Sequence, residues 1–329
     1  MNTPWQTAGP GAEWMGAVPN AFHFRHEAMA SPMEITIVGE DAHYARQAAQ
    51  AAFAEADRLE QDLSRYIENS DISRLNRLRP GEVLPLGLDT FKCLEIARRA
   101  WDETHGAFDV SVGPLYKCWL NEDRSPRNPT PAELAAAAAR TGMDKLVLDE
   151  DGYTARVLTE GMYFDLGGIG KGFAADRMGE LLDEWGVAAA MINVGSSSLL
   201  ALSPPPGREG WPVTLSNPLD RRQTLVRMEV ANRSISGSGL EHGRHILDPR
   251  PGRGRPVEGK LAAWSVASDA ATADALSTAF MVMGPGEVER YCRTHAGAAA
   301  LLVMPGKESG ADNVHILRYG DWHGSELLR

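Results

Sequence analysis

Residues 162–176 read Met-Tyr-Phe-Asp-Leu-Gly-Gly-Ile-Gly-Lys-Gly-Phe-Ala-Ala-Asp. An apolar run ends at Leu166, four glycines fall within the six residues 167–172, and a helical pattern begins at Lys171. Glycine lets a backbone come close to a bound group, and the amides of a helix start attract phosphate. Lys171 adds a positive charge at that point. The spacing is neither G-x-G-x-x-G nor G-x-x-x-x-G-K-[ST], so the common dinucleotide and P-loop readings fail. The plainer alternative is a tight strand-to-helix turn with a solvated lysine.

Working outward, apolar periodicity predicts short strands over 145–148, 153–157 and 162–166, then a helix over 171–185. Strands follow over 189–194 and 198–202, a β-rich stretch over 211–246, and strands over 261–267, 299–303 and 314–319. Helices are expected over 270–283 and 287–295. On the N-terminal side, 33–38 reads as a first strand and 41–64 as a long amphipathic helix with Asp41 near its N-cap. A short helix over 71–76 and a long one over 88–105 follow, the latter stopped by Gly106. Residues 106–115 read as extended, ending in Gly-Pro, and 133–140 as an alanine-rich helix. Strands outnumber long helices without regular βαβ alternation. The expected class is α+β, with mostly antiparallel or mixed sheets flanked by helices. No linker divides the chain, so residues 22–329 are expected to form one domain behind a flexible extension at 1–21.

The 329 residues carry 33 basic and 44 acidic side chains, a net charge of −11. Such a surface repels a phosphate backbone, which argues against nucleic acid as a partner. A bound anionic ligand then needs a local metal or helix N-termini to offset its charge. Hydrophobic residues make up 43% and charged residues 23%, ordinary values for a globular chain. Cys93, Cys118 and Cys292 are widely spaced and form no C-x-x-C pair, which disfavours a disulfide framework or a zinc site. No secretory signal and no membrane-length apolar run is visible. The expected location is the cytoplasm, or the periplasm if an export signal has been removed.

Three further stretches carry candidate chemistry. In Ser268-Asp-Ala-Ala-Thr-Ala-Asp274-Ala-Leu-Ser-Thr278, Asp274 and Thr278 stand four apart and share a helix face. A carboxylate and a hydroxyl there form part of an oxygen shell for Mg²⁺. Alternatively, Asp274 answers the helix dipole and Thr278 bonds back to a carbonyl. Ser234-Ile-Ser-Gly-Ser-Gly-Leu240 precedes Gly243-Arg-His245-Ile246-Leu-Asp248-Pro-Arg-Pro-Gly252, where His245 is either a general base or a loop histidine bonded to Asp248. In Asp71-Ile-Ser-Arg-Leu-Asn76 the Asn76 amide either faces a ligand or caps a helix end. Phe108-Asp109 either contacts a flat ring and a ribose, or Phe108 is simply core.

Taken in order, these pieces resemble the ApbE family of FAD:protein FMN transferases. The family pattern runs S-x-I-S-x-L-N, G-x-F-D-x-(S/T)-V-G-P-L, D-L-G-G-I-A-K-G-(Y/F)-A-x-D, N-(V/L)-G-G, H-I-(I/L)-D-P-x-x-G and A-D-A-L-x-T. The resemblance covers residues 71–278 and extends weakly along both flanks. Two departures stand out: Met29-Ala-Ser31 replaces Met-Gly-Thr, and Ser196 replaces the second glycine of Asn193-Val-Gly. The resemblance implies an ApbE-like (T-fold-like) architecture and transfer of FMN from FAD, with Mg²⁺, to a Ser/Thr of an acceptor protein. It implies metal ligation by the Gly170 carbonyl, Asp274 and Thr278, and flavin contacts from Asn76, Phe108, Asp109, Gly167, Gly168, Lys171, Phe173, Asp176 and Ile246. His245 and Asp274 are the expected catalytic groups. The same site also suits a Mg²⁺-dependent FAD pyrophosphatase, or a protein that binds FAD or another adenine nucleotide without turnover.

Overall fold

The computed structural model describes residues 5–7, 21–121, 125–195, 197–240, 246–306, 314–322 and 325–328. The chain opens with β1 (Trp5–Thr7), β2 (Ala21–Ala28) and β3 (Ser31–Val38), then α1 (Ala42–Leu63), α2 (Asp71–Leu75), β4 (Leu84–Pro85) and α3 (Leu88–Glu103). Next come α4 (Gly113–Trp119), α5 (Pro131–Ala138), β5 (Leu146–Asp149), β6 (Thr154–Val157) and α6 (Gly170–Glu184). Strands β7 (Ala189–Val194), β8 (Ser198–Ala201), β9 (Trp211–Ser216), β10 (Thr224–Val230), β11 (Arg233–Gly239) and β12 (Ala262–Ala267) follow. The chain ends with α7 (Ala270–Val282), α8 (Pro285–Thr294), β13 (Ala299–Pro305), β14 (Val314–Gly320) and β15 (Ser325–Leu327).

The main sheet has eight strands in the order β14-β13-β12-β11-β8-β7-β3-β2, and every pairing is antiparallel. Its inner strands β7, β8, β12 and β13 are buried on both faces, which explains their apolar runs, while the edge strands β2 and β14 alternate. In β13, Ala300 and Leu302 face the helices, while Leu301 and Val303 face the second sheet. That second sheet, β1-β9-β10-β15, contributes Trp211, Val213, Leu215 and Val226 to the layer between the sheets. On the other face, α1 lays Ala45, Ala48, Ala49, Ala52 and Ala56 against Met33, Ile35, Ile37 and Ile192. Alanines at helical spacing bring the helix close to the sheet. Strands β4-β6-β5 form a small third sheet.

Helix α7 is the most enclosed of the helices. Ala270, Ala271, Ala273, Asp274, Ala275, Leu276, Ser277 and Ala279 through Val282 are all buried. A helix apolar on nearly every side belongs inside a fold, and α7 packs on β11, β12, α6 and α3. Lys260 donates to the carbonyls of Met281 (3.0 Å) and Met283 (2.6 Å) at its C-terminal end. Among the described residues no helix is long and apolar enough to cross a membrane. Cys93, Cys118 and Cys292 are free and buried.

The structure departs from the sequence expectations in four places. Residues 162–166 form no strand. Tyr163 makes a single parallel bridge with Val112, and the Asn76 amide takes both backbone groups of Phe164 that a neighbouring strand would otherwise use. Residues 106–112 form no strand, and Gly113-Pro114 starts α4 rather than ending an extended run, because proline suits the first turn of a helix. Within the stretch expected to be a loose extension, Trp5–Thr7 pair with Val213, Thr214 and Leu215 of β9. Finally, β2 pairs along its whole length with β3 through a two-residue turn, a hairpin the sequence reading did not contain.

That turn is Met29-Ala30, with φ of 51° and 53°. A two-residue hairpin turn of type I′ requires positive φ at both central positions and usually carries Asn-Gly. A side chain in that region costs about 1–2 kcal/mol. Ala30→Gly is therefore expected to raise unfolding free energy by about 0.5–1 kcal/mol, the relief of strain partly offset by the freer unfolded chain. A urea unfolding series checks it, and a loss of stability contradicts the left-handed turn.

Candidate functional site

The glycine turn is fixed from both sides before it reaches α6. Asn76 Nδ2 donates to the Phe164 carbonyl (3.0 Å) and Phe164 N–H donates to Asn76 Oδ1 (2.6 Å). Asp165 Oδ1 then accepts from Gly167 N–H (3.0 Å), and Arg65 Nε pairs with Asp165 Oδ2 (3.0 Å). Ile169, the N-cap of α6, has no side-chain oxygen to cap it. The acceptor comes instead from α7, as Gly172 N–H donates to Asp274 Oδ2 (3.1 Å). Asp274 is 3% exposed. Lys171 Nζ lies 3.7 Å from the same oxygen and donates to the Gly167 carbonyl (2.9 Å).

The reverse exchange holds at the other helix. Asp176 of α6 accepts from Ala270 N–H (2.7 Å) and Ala271 N–H (2.8 Å), the first amides of α7. Each helix therefore supplies a carboxylate to the other's N-terminus, where unpaired amides and the helix dipole favour negative charge. The two helices touch backbone to backbone. A Cβ on Gly172 would run into the Ala270 carbonyl and come within 2.9 Å of Ala271 Cα. Gly168 faces Thr278 and Phe108: a Cβ there would lie 3.1 Å from Thr278 Oγ1 and 3.3 Å from Phe108 Cε2. Gly195, at φ 61°, packs on Ser31 and on the Lys171 stem. The Met29–Ser31 turn, the Asn193-Val-Gly195 turn, the glycine turn and the start of α6 thus converge.

Of the residues expected at a site, the structure brings together Gly168, Lys171, Phe108, Asp274 and Thr278, with Gly167 and Gly170 in the same turn. Gly170 is the first residue of α6, and its N–H donates to the Leu166 carbonyl (2.7 Å). Others are turned elsewhere. Asn76 and Asp176 spend their polar atoms on backbone, as above. Asp109 Oδ1 accepts from Ser111 N–H (2.7 Å) and Ser111 Oγ (2.6 Å). Ile246 belongs to the core beside α7. His245 lies outside the described residues. Its downstream neighbour Asp248 is held by Arg250 Nε (2.8 Å) and Arg253 (3.2 Å), and Arg250 also reaches Glu287. Phe173 is 3% exposed and lines a groove of about 820 Å³ on the side of α6 bearing Asp176, Arg177 and Glu180, away from Lys171 and Asp274.

Sequence reasoning missed two contributors. Arg65, which pins Asp165, carries no local signal, being one arginine at the end of a charged helix. Ser238 of β11, which contacts Thr278, sat in a stretch read only as small residues. Thr278 makes no back-bond to its own helix among the described residues. Its Oγ1 lies 3.2 Å from Ser238 Oγ instead. No group of three or more His, Cys, Asp or Glu gathers among the described residues as a metal cluster. A carboxylate, a hydroxyl and a main-chain oxygen form a different donor set, one that suits a hard cation which keeps waters.

This arrangement defines an α+β protein whose glycine turn and helix start face a buried acid and a lysine. The ApbE family model matches residues 29–302, and the chain belongs to that family. It is 30% identical over 304 residues to the FAD:protein FMN transferase of Salmonella typhimurium, covering 88% of this chain and 85% of that one. The ApbE protein of Thermotoga maritima superposes with a TM-score of 0.79 at 25% identity, over 91% of this chain and 97% of the other. The flavin transferase ApbE of Vibrio cholerae shares the fold, at a TM-score of 0.78 and 22% identity, over 91% and 97% of the two chains.

Two predictions follow from the packing and the buried acids. Gly172→Ala forces α6 and α7 apart and should cost about 1–3 kcal/mol of unfolding free energy. Gly286→Ala, where an added Cβ meets nothing within 4 Å, should cost nothing; equal losses in both would contradict the close crossing. Burial pushes Asp109 up to about 6 from 3.8, against the Ser111 hydrogen bonds, which lower it. Between about pH 4 and 6 the folded chain then keeps a proton that the unfolded chain has released, so the Asp109 contribution to stability falls as pH rises through that window. Asp109→Asn should remove that part of the slope in unfolding measured from pH 4 to 8. An unchanged slope would place the titration elsewhere.

Proposed function

We propose that this chain transfers the FMN half of FAD to a Ser or Thr hydroxyl of an acceptor protein, with release of AMP. The observation that carries the reading is the meeting of Asp274 and Thr278 with the Gly168–Gly172 turn beside Lys171. The names of the relatives that align along most of the chain support it.

The donor set fits Mg²⁺: the Asp274 carboxylate, the Thr278 hydroxyl and the Gly170 carbonyl would hold it, with waters and substrate phosphate completing the shell. When bound, the ion offsets negative charge on the reacting phosphoryl group and orients its oxygens. Among the described residues, both contacts to the Asp274 carboxylate fall on Oδ2, which leaves Oδ1 for a ligand. Lys171 is held forward by the Gly167 carbonyl and presents its charge to the pyrophosphate. The glycines admit that group close to the backbone, and the α6 N-terminus favours its charge. Asn76 and Asp176 act indirectly, one by holding Phe164 and the other by holding the start of α7.

The acceptor hydroxyl oxygen attacks the FMN phosphorus. The bond from that phosphorus to the bridging oxygen breaks, and AMP leaves with the electron pair. His245 is the proposed base for the hydroxyl proton, on the strength of its place in His-Ile-Leu-Asp-Pro, whose Asp248 is held by Arg250.

Asp274→Ala should lower transfer on the order of 100-fold or more, and His245→Asn on the order of 100-fold. Both are read by flavin fluorescence on the acceptor after electrophoresis. Full transfer by His245→Asn would refute the base assignment. Free FMN and AMP formed equally fast without any acceptor would make the protein a pyrophosphatase instead.

A further inference from the structure

Three hydroxyls, the last of them that of Thr278, form a chain that starts at the main-chain carbonyl of Asp274. Ser277 Oγ lies 2.9 Å from the Asp274 backbone carbonyl, Ser238 Oγ lies 2.8 Å from Ser277 Oγ, and Thr278 Oγ1 lies 3.2 Å from Ser238 Oγ. The direction of every proton in this chain follows from counting. A carbonyl can only accept, so the single Ser277 proton goes to Asp274 O. Ser277 must then accept from Ser238, and the single Ser238 proton is used there. Ser238 can therefore only accept from Thr278. The Thr278 proton points at β11, and the Thr278 lone pairs are left facing away from it.

We propose that Ser238, with Ser277 behind it, is a positioning residue that fixes the Thr278 hydroxyl as a pure acceptor for a divalent cation. This rests on the metal reading of Asp274 and Thr278. Two features make the device specific. A helical threonine normally turns its hydroxyl to the carbonyl four residues back, which for Thr278 is Asp274 O. Here Ser277 Oγ already donates to that carbonyl and competes with the back-bond. The partner hydroxyl also comes from another element, β11, whose register against β12 sets Ser238 opposite Ala263. Neither serine needs to touch the metal, since an outer hydrogen bond that orients a ligand typically sets 10–100-fold of metal affinity.

The test measures Mg²⁺ binding by calorimetry on the full-length protein in the presence of FAD, with thermal unfolding of each metal-free variant alongside. Ser238→Ala and Ser277→Ala are each expected to weaken Mg²⁺ roughly tenfold, with the metal-free melting temperature little changed. Ser238→Thr, which keeps the hydroxyl, should restore wild-type affinity, and Asp274→Ala should abolish binding. Wild-type affinity in both alanine variants, with Asp274→Ala still unable to bind, would overturn the relay and leave the metal reading standing. Unchanged binding in Asp274→Ala would overturn the metal reading and the relay with it. A Ser238→Thr variant as weak as Ser238→Ala would show that the position acts by size rather than by its hydroxyl, which also overturns the proposal.

Discussion

Helices α6 and α7 each begin on a carboxylate lent by the other, and the site depends on that exchange. Asp274 answers an amide of α6 at Gly172, while Asp176 answers two amides of α7. Neither helix is fully provided for from its own sequence: Ile169 cannot cap α6, and Asp269 reaches only Thr272 N–H in α7. Removing one acid leaves backbone donors unpaired at a buried helix end, a cost of about 1–3 kcal/mol. The exchange also requires glycine at position 172, because only an absent Cβ lets the two backbones approach closely enough for the carboxylates to reach. Burial pushes Asp176 up to about 7 despite its two amide bonds, a sign of how far this crossing is removed from water.

The same contact turns a structural feature into a chemical one. Asp274 sits where it can serve a helix end with one oxygen and a ligand with the other. Lys171 follows from the geometry of α6, since the residue before the capped amide points its side chain back along the turn to Gly167 and Asp274. Around this pair the remaining parts act as supports. Asn76 replaces a strand partner for Phe164, Arg65 holds Asp165, and the Gly195 turn packs on the lysine stem. The fold places strict backbone control at the glycine turn, with the alanine-rich interface of α1 and the main sheet behind it.

Much of this was legible in the sequence. Amphipathic spacing gave α1, the helices expected over 171–185 and 270–283 match α6 and α7 to within a residue or two, and the strand over 189–194 coincides with β7. Residue type and spacing left the glycine cluster and the Asp274/Thr278 pair open between a site and a plain turn and helix face, and it was the ordered resemblance to the ApbE family that singled them out. What escaped depends on partners distant in sequence. The β2–β3 hairpin was hidden because Met29-Ala30 carries none of the residues that signal such a turn. The segment over 162–166 has strand composition but meets a side-chain amide in place of a neighbouring strand. Asp176 reads as a candidate ligand until α7, some ninety-four residues on, is seen to need a cap. Ser238 matters only because β11 passes beside Thr278, and no local pattern in Ser-Gly-Ser-Gly announces it.

The account places one divalent cation between α7 and the first turn of α6. Diffraction from crystals grown with FAD and Mn²⁺, collected at the manganese absorption edge, tests this most directly. The account predicts an anomalous peak within ligand distance of Asp274 Oδ1, Thr278 Oγ1 and the Gly170 carbonyl oxygen, next to the pyrophosphate. A peak elsewhere in the molecule, or bound FAD with no metal between these three oxygens, would contradict it.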